Sequence, residues 1–250
     1  SIDEFVQEFI ENIEDKSYLI VCNTINQSLE IYNKLKDINR EVYYLSTNIL
    51  PIHRREIIDK IKGKLNSNEK IILVSTQVVE AGVDLDFDEV IRDIGPLDSI
   101  IQCAGRCNRN GNKDIGNVRI YRLVNEDGFN YANNIYGNTI IDITMELLKG
   151  RDSINEKNYY QLIEGYFEQV LDNKSKRDSE ALIEAIKYLD FSKGDNSINK
   201  FSLIKNNPMY HDVLFIYDDI VEDAFEEYKE LSRIKNFEEK REKYLELGQV

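Results

Sequence analysis

Hydrophobic positions at the start of the chain recur at helical spacing. Ile2, Phe5, Val6, Phe9, Ile10 and Ile13 fall on one stripe, which predicts an amphipathic helix over residues 2–14. The period then changes. Tyr18-Leu19-Ile20-Val21-Cys22 is an unbroken apolar run, as expected of a strand covered on both faces. Asn23-Thr24 follows as a helix-start signal, with Leu29, Tyr32 and Leu35 at helical spacing beyond it. Val42-Tyr43-Tyr44-Leu45 predicts the next strand. Pro51 suits a first helical turn, and Ile57, Ile58, Ile61 and Leu65 supply that helix's buried stripe. Ile71-Ile72-Leu73-Val74-Ser75 is the strongest strand in the chain, and Glu89-Val90-Ile91-Arg92-Asp93 is a shorter one. Leu97 to Asn108 reads as a helix despite Gly105, and Val118 to Val124 as an edge strand.

This alternation of strand and helix predicts the α/β class: a parallel sheet with helices on both faces. Right-handed crossovers gather the strand C-termini along one edge, and ligands of such sheets bind outside that edge. Asn23-Thr24, Ser46-Thr47, Thr76-Gln77 and Asp93 are therefore expected along one functional rim. Beyond residue 125 the pattern is mostly helical, with helices over 130–149, 155–172 and 179–190 and a long charged helix over 219–246. Two short strands, Phe201-Ser202-Leu203-Ile204 and Val213-Leu214-Phe215-Ile216-Tyr217, are expected around the Asn206-Asn207-Pro208 turn. The expected organisation is a sheet domain over 1–125 and an appended, mostly helical subdomain over 126–250.

Composition narrows this further. The 250 residues are 42% hydrophobic and 31% charged, enough for one or two ordinary globular domains. No apolar run approaches the roughly 18 residues of a membrane span, so no membrane partner is expected. The formal net charge of −14 argues against coating nucleic acid by bulk charge. The acid is uneven: residues 1–125 carry 16 basic and 20 acidic side chains, residues 126–250 carry 16 and 26. A local basic face thus remains open in the first half. Cys22, Cys103 and Cys107 form an odd set without a C-x-x-C, beside two histidines, His53 and His211. That makes disulfide frameworks and metal sites poor readings; reduced thiols and a cytoplasmic location are expected.

Two segments are unlike generic core. Ser75-Thr76-Gln77-Val78-Val79-Glu80-Ala81-Gly82-Val83-Asp84-Leu85-Asp86 starts at the end of the strongest strand. A hydroxyl and an amide there are placed to bond a phosphate backbone, Gly82 permits close approach or a positive φ, and Asp84 can accept from a sugar hydroxyl. A plain loop capping a helix is the ordinary alternative. In Gln102-Cys103-Ala104-Gly105-Arg106-Cys107-Asn108-Arg109, helical spacing would place Gln102, Arg106 and Arg109 on one face. Two guanidiniums on one face repel and call for anions, as a triphosphate supplies during phosphoryl transfer. Two surface arginines paired with carboxylates are an equally good reading of the spacing. A mid-helix glycine costs roughly 1 kcal/mol against Ala, easier to explain where something approaches closely.

Together the two segments resemble motifs V and VI of superfamily 2 helicases, and Leu19-Ile20-Val21-Cys22-Asn23-Thr24 resembles motif IV. Within that superfamily, Ile91-Arg92-Asp93 and Gly95-Pro96-Leu97-Asp98-Ser99-Ile100-Ile101-Gln102 make the run similar to the CRISPR-associated helicase-nucleases of type I systems. The resemblance covers 17–125 well and is loose beyond. It implies a second RecA-like lobe. Arg109 would be the arginine finger and Arg106 its companion on the phosphates. Gln102, Gly82 and Asp84 would lie on the nucleotide. Asn23, Thr24 and Thr76 would hold the nucleic-acid backbone. Arg54, Arg55, Lys60, Lys62 and Lys64 would form a possible phosphate-facing stripe, or else a solvated helix face.

The resemblance further implies ATP and Mg²⁺ as cofactors. Its partners would be single-stranded DNA, a first RecA-like lobe, an HD nuclease domain and an RNA-guided surveillance complex. Cys103 stands where relatives often carry a basic residue, and no G-x-x-x-x-G-K-[ST] loop occurs in this sequence. The nucleotide would therefore be held mainly by the first lobe, and the lobe alone would be inactive. A general superfamily 2 DNA or RNA helicase lobe and a non-catalytic α/β scaffold are the alternatives.

Overall fold

The computed structural model describes residues 1–111, 115–173, 177–192, 197–200, 213 and 215–247, and it divides into two compact units, Ser1–Ser175 and Lys176–Val250. In the first unit, five strands form one sheet: β1 (Tyr18–Val21), β2 (Val42–Leu45), β3 (Ile72–Ser75), β4 (Glu89–Asp93) and β5 (Asn117–Tyr121). Their order is β2-β3-β1-β4-β5, and every pairing is parallel. The expected α/β class and parallel sheet are what the chain adopts.

Strand alternation explains the two cores. Tyr18, Ile20 and Cys22 point to the face covered by α1 (Ile2–Glu11) and α2 (Ile25–Leu35), where Phe5, Phe9, Ile31 and Leu35 meet them. Leu19 and Val21 point to the other face, with Ile61 of α3 (Pro51–Asn66), Cys103 of α4 (Leu97–Ala104) and Val79, Leu85 and Phe87 of the loop between β3 and β4. The central strands β1 and β3 are buried at every position, which is why they read as unbroken apolar runs. Ser1 and Glu4 close a capping box on α1, so the first helix is fixed from its first residue.

The helices α5 (Asn133–Tyr136), α6 (Asn138–Leu148) and α7 (Tyr159–Asn173) belong to the same unit as the sheet, and position 125 lies inside that unit. Leu97 of α4 packs with Ile143, Leu162, Tyr166 and Val170, so the helical layer grips the sheet unit through α4. The helix expected over 130–149 is interrupted at Gly137. β5 stops at Tyr121 rather than continuing to Val124, because the Leu123 N–H leaves the ladder to bond Asp93 Oδ1 at 3.0 Å.

The second unit contains α8 (Arg177–Lys187), α9 (Asp219–Glu230) and α10 (Phe237–Leu247). The single long helix expected over 219–246 is two helices. Asn236 Oδ1 accepts the Glu238 N–H at 2.9 Å and starts α10 afresh, a local side-chain bond outcompeting helix continuation. Of the two expected strands, Phe201–Ile204 lies outside the described residues, and residues 213 and 215–217 are irregular chain rather than strand. No helix among the described residues is long and apolar enough to cross a membrane.

Phe9 is 1% exposed and packs edge-on against Tyr18 at 5.1 Å between ring centroids. Phe9→Ala is expected to cost about 3–5 kcal/mol, a cavity-forming loss of a fully buried ring, read as a lowered urea midpoint at unchanged slope.

Candidate functional site

The ends of β1, β2 and β3 lie along one edge of the sheet, as expected of parallel strands. They open on a cleft of ≈ 620 Å³ lined in part by Asn23, Thr24, Thr47, Thr76, Gln77, Glu80 and Tyr136. Thr24 caps α2 by accepting the Gln27 N–H at 3.2 Å. A hydroxyl can donate as well as accept, so this cap is compatible with a bond from Thr24 to an anionic oxygen in the cleft. Thr76 is 3% exposed and lines the cleft floor. Gln77 Nε2 donates to the Asn23 carbonyl at 2.8 Å and to Tyr136 Oη at 2.9 Å, tying the cleft's two walls.

Beneath the cleft lies a buried polar network. The Arg92 side chain is fully buried. Its Nη1 donates to Asn23 Oδ1 at 2.8 Å and to the Asp93 carbonyl at 3.0 Å. Its Nη2 donates to Ser99 Oγ at 2.8 Å and Glu80 Oε1 at 3.1 Å, and Ser99 Oγ donates to the same Glu80 oxygen at 2.7 Å. Asn23 Nδ2 and Gln27 Nε2 both donate to Asp93 Oδ2, at 2.7 and 2.8 Å. Burial pushes the Glu80 carboxyl above the usual range, against the pull of Arg92 and Ser99. The same cause raises the Asp93 carboxyl against its hydrogen bonds from Gln27 and the Leu123 N–H. Gly95 is glycine for steric reasons: a Cβ there would stand 3.0 Å from Arg92 Nη2.

This network changes the role of Asn23. Expected as a contact to nucleic acid, its side chain is 2% exposed, with its oxygen and both of its amide hydrogens engaged by Arg92, Asp93 and the Ile94 carbonyl. It braces the rim.

The second candidate region runs along one face of the sheet, where the loop from Thr76 to Asp88 meets the end of α4. Here the helix expected to Asn108 stops at Ala104. Gly105, the least helix-favouring residue of the stretch, is the cap. The chain then turns to pair with the loop: the Phe87 N–H donates to the Arg106 carbonyl at 2.9 Å and the Asn108 N–H to the Phe87 carbonyl at 3.0 Å. Gln102, Arg106 and Arg109 therefore do not share a helix face, and the two guanidiniums have different surroundings.

Arg106 is buried. Its Nε donates to the Val79 carbonyl at 3.0 Å and its Nη2 to the Glu80 carbonyl at 2.8 Å, so it clamps the loop backbone rather than facing solvent beside Arg109. Arg109 is 43% exposed and ion-pairs with Asp84, Nε to Oδ1 at 3.3 Å. Asp86 fixes the same turn by accepting the Arg109 and Asn110 N–H groups at 2.8 and 3.0 Å. Gly82 is exposed at φ +76, a conformation that favours glycine, and nothing lies within 4 Å of where its Cβ would be. Gln102 is exposed on α4. The basic stripe of α3 is partly spent internally: Lys64 pairs with Glu41 and Glu69, Lys60 sits over the Tyr43 ring and Lys62 is 3.7 Å from Asp84.

All three cysteines are free thiols, with Cys103 raised to about 12 and Cys107 to about 11, chiefly by burial. Among the described residues, no three His, Cys, Asp or Glu side chains gather as a metal site.

Residues 14–112 match the family model described as CRISPR-associated nuclease/helicase Cas3, C-terminal. This region is similar to the C-terminal part of Cas3-like proteins. It contains the strand-end residues of the rim, the side chains of the buried network and both arginines, while Tyr136 of the cleft lies beyond it. The CRISPR-associated nuclease/helicase Cas3 of Methanothermobacter thermautotrophicus is 26% identical over 224 residues, 88% of this chain and 27% of that protein. The corresponding protein of Haloferax volcanii is 42% identical over 85 residues, 33% of this chain and 9% of that protein. The chain thus spans about a quarter or less of these relatives. The T. fusca Cas3-ATP structure covers 84% of this chain and 28% of its own, with a TM-score of 0.57 at 21% identity. A chain of a CRISPR RNA-guided surveillance complex in a pre-nicking state covers 75% and 25%, with a TM-score of 0.54 at 22% identity. These likenesses show the fold, a RecA-like parallel sheet with helices.

Sequence reasoning missed Arg92 and Glu80. A signal was present: a charge inside an apolar strand must find a buried partner. Arg92→Ala is expected to lower stability by about 3–5 kcal/mol by stranding Glu80, whereas Arg109→Ala, which breaks an exposed pair, should change it by less than about 1 kcal/mol. Urea unfolding of both variants checks the contrast.

The raised Glu80 carboxyl fixes a pH dependence. The folded chain binds this proton more tightly than the unfolded chain, so Glu80 supports folding most at low pH and loses that support as pH rises through its raised value. The stability of the parent chain relative to Glu80→Gln should accordingly fall as pH rises from about 4, the ordinary glutamate range. Urea midpoints across this range measure it; a flat or rising difference would contradict the assigned environment.

Proposed function

We propose that this chain supplies the second motor lobe of an ATP-dependent single-stranded DNA helicase or translocase acting in CRISPR interference. The observation that carries this reading is Arg109, a half-exposed guanidinium within the family-matched region. Its turn is held by Asp86, beside a loop clamped by Arg106. Its pair with Asp84 is solvent-exposed and worth about 0–1 kcal/mol, so an anion of higher charge density displaces Asp84 at little cost.

The residues fit a nucleotide's phosphates at one edge of a binding site, not a complete site. ATP, when bound against this face, supplies the γ-phosphoryl group whose transfer to water drives the motor. Arg109 then stabilises charge developing on that group with a planar fork of N–H donors. Arg106 acts one step removed, as a positioning residue that fixes Val79 and Glu80. Asp84 pairs with Arg109, and Gly82, two residues before Asp84, leaves its backbone open, so a ribose or phosphate edge would approach here. Mg²⁺ would be held with the nucleotide by the first lobe. Thr24 in the rim cleft would meet the phosphate backbone of the strand, with Thr76, 3% exposed, shaping the cleft floor beneath it. The wider assembly in this reading contains a first RecA-like lobe, an HD nuclease domain and an RNA-guided surveillance complex, in the cytoplasm.

The isolated chain is expected to hydrolyse no ATP, and turnover should appear when a phosphate-loop lobe is supplied in trans or in the intact enzyme. There, Arg109→Ala is expected to lower kcat by roughly 10³-fold or more, with Arg109→Lys recovering little because the fork is lost. Steady-state ATPase assays decide it. Turnover by the isolated chain, or an intact-enzyme kcat indifferent to Arg109→Ala, would refute the reading.

A further inference from the structure

The rim cleft and the Arg109 region are joined by one residue. Glu80 is one of the residues lining the cleft; its carboxylate, 13% exposed, accepts from Arg92 and Ser99, while its backbone carbonyl accepts from Arg106 at 2.8 Å. A push on Glu80 from the cleft is therefore also a push on the clamp that orders the loop beside Arg109. What fixes the resting position of Glu80 is Arg92, fully buried and anchored to the ends of two central strands through Asn23 and the Asp93 carbonyl.

We propose that Arg92 is a positioning residue that couples strand occupancy of the rim cleft to the placement of Arg106 and Arg109, with Glu80 as the shared joint. This rests on the reading that the cleft takes nucleic acid. A phosphate entering the cleft carries the same charge as the Glu80 carboxylate, and the repulsion is strong in a partly buried setting. Arg92 opposes that repulsion from behind. Its fork holds the carboxylate to the sheet, so the loop backbone at Val79 and Glu80 takes a defined position when the strand binds. Arg106 reads that position through two hydrogen bonds, and Arg109 follows three residues on, its turn fixed by Asp86. Lysine at position 92 keeps the charge but not the fork. It would leave the cleft able to bind and the loop free to take several positions.

The test uses the full chain with an oligothymidylate as probe, following the Arg106 Nε–H resonance by nitrogen-15 NMR alongside a binding isotherm. In the parent chain, binding should shift that resonance. In Arg92→Lys, binding should persist while the shift is lost. In the intact enzyme, the same variant should lower strand stimulation of ATPase by roughly tenfold, the scale of coupling carried by packed networks, with KM for ATP unchanged. An Arg106 shift that survives in Arg92→Lys, or strand binding that never moves Arg106 in the parent chain, would overturn the proposal. Absence of oligothymidylate binding by the parent chain would instead remove the reading of the cleft, and the coupling with it. Should Arg92→Lys fail to fold, Ser99→Ala, which removes one bond to Glu80 Oε1, is measured in the same way. A reduced Arg106 shift supports the coupling and an unchanged one overturns it.

Discussion

The candidate site depends on a charge buried in the sheet. Arg92 sits at zero exposure near the end of β4, where an isolated cation would be untenable, so its surroundings must supply anions and acceptors in fixed directions. Glu80, Ser99, Asn23 and the Asp93 carbonyl do so. This one requirement fixes how the first residues of the β3–β4 loop lie, why position 95 is glycine, and why the Asn23 amide faces inward. Such pairs add little net stability compared with apolar packing, but removing one partner is costly. Arg92 therefore specifies an arrangement more than it strengthens the fold.

The arrangement has two outlets. Along the strand ends it yields a polar cleft with hydroxyl and amide groups on its walls. Across the sheet face it yields a loop whose backbone Arg106 clamps and beside which Arg109 stands half-exposed. The proposed motor role would draw on both, the cleft for a strand and Arg109 for a nucleotide held elsewhere. One loop borders the two regions, so their geometries are tied.

Much of the sheet was legible from hydrophobic period because β1 and β3 are covered on both faces and leave unbroken apolar runs. The shared rim followed from parallel topology, which gathers the strand C-termini along one edge. Tertiary pairing overruled local spacing at α4. The helical register placed Gln102, Arg106 and Arg109 together, but pairing of Phe87 with Cys107 turns the chain after Gly105 and sends Arg106 inward. Asn23 was misjudged because a polar residue at a strand end looks the same in sequence whether it meets a ligand or a buried arginine. Past residue 125 the signals were weaker. Asn236 restarts a helix, and Gly137 interrupts one, by local backbone chemistry that a hydrophobic stripe does not reveal.

The most direct test of the central claim is the position of Arg109 in the assembled enzyme with a non-hydrolysable ATP analogue bound. A solved structure of that complex should place an Arg109 guanidinium nitrogen at hydrogen-bond distance, about 3 Å, from a γ-phosphate oxygen, with the Asp84 pair broken and Arg106 still on the Val79 and Glu80 carbonyls. Arg109 remaining on Asp84 and distant from the nucleotide would contradict the account.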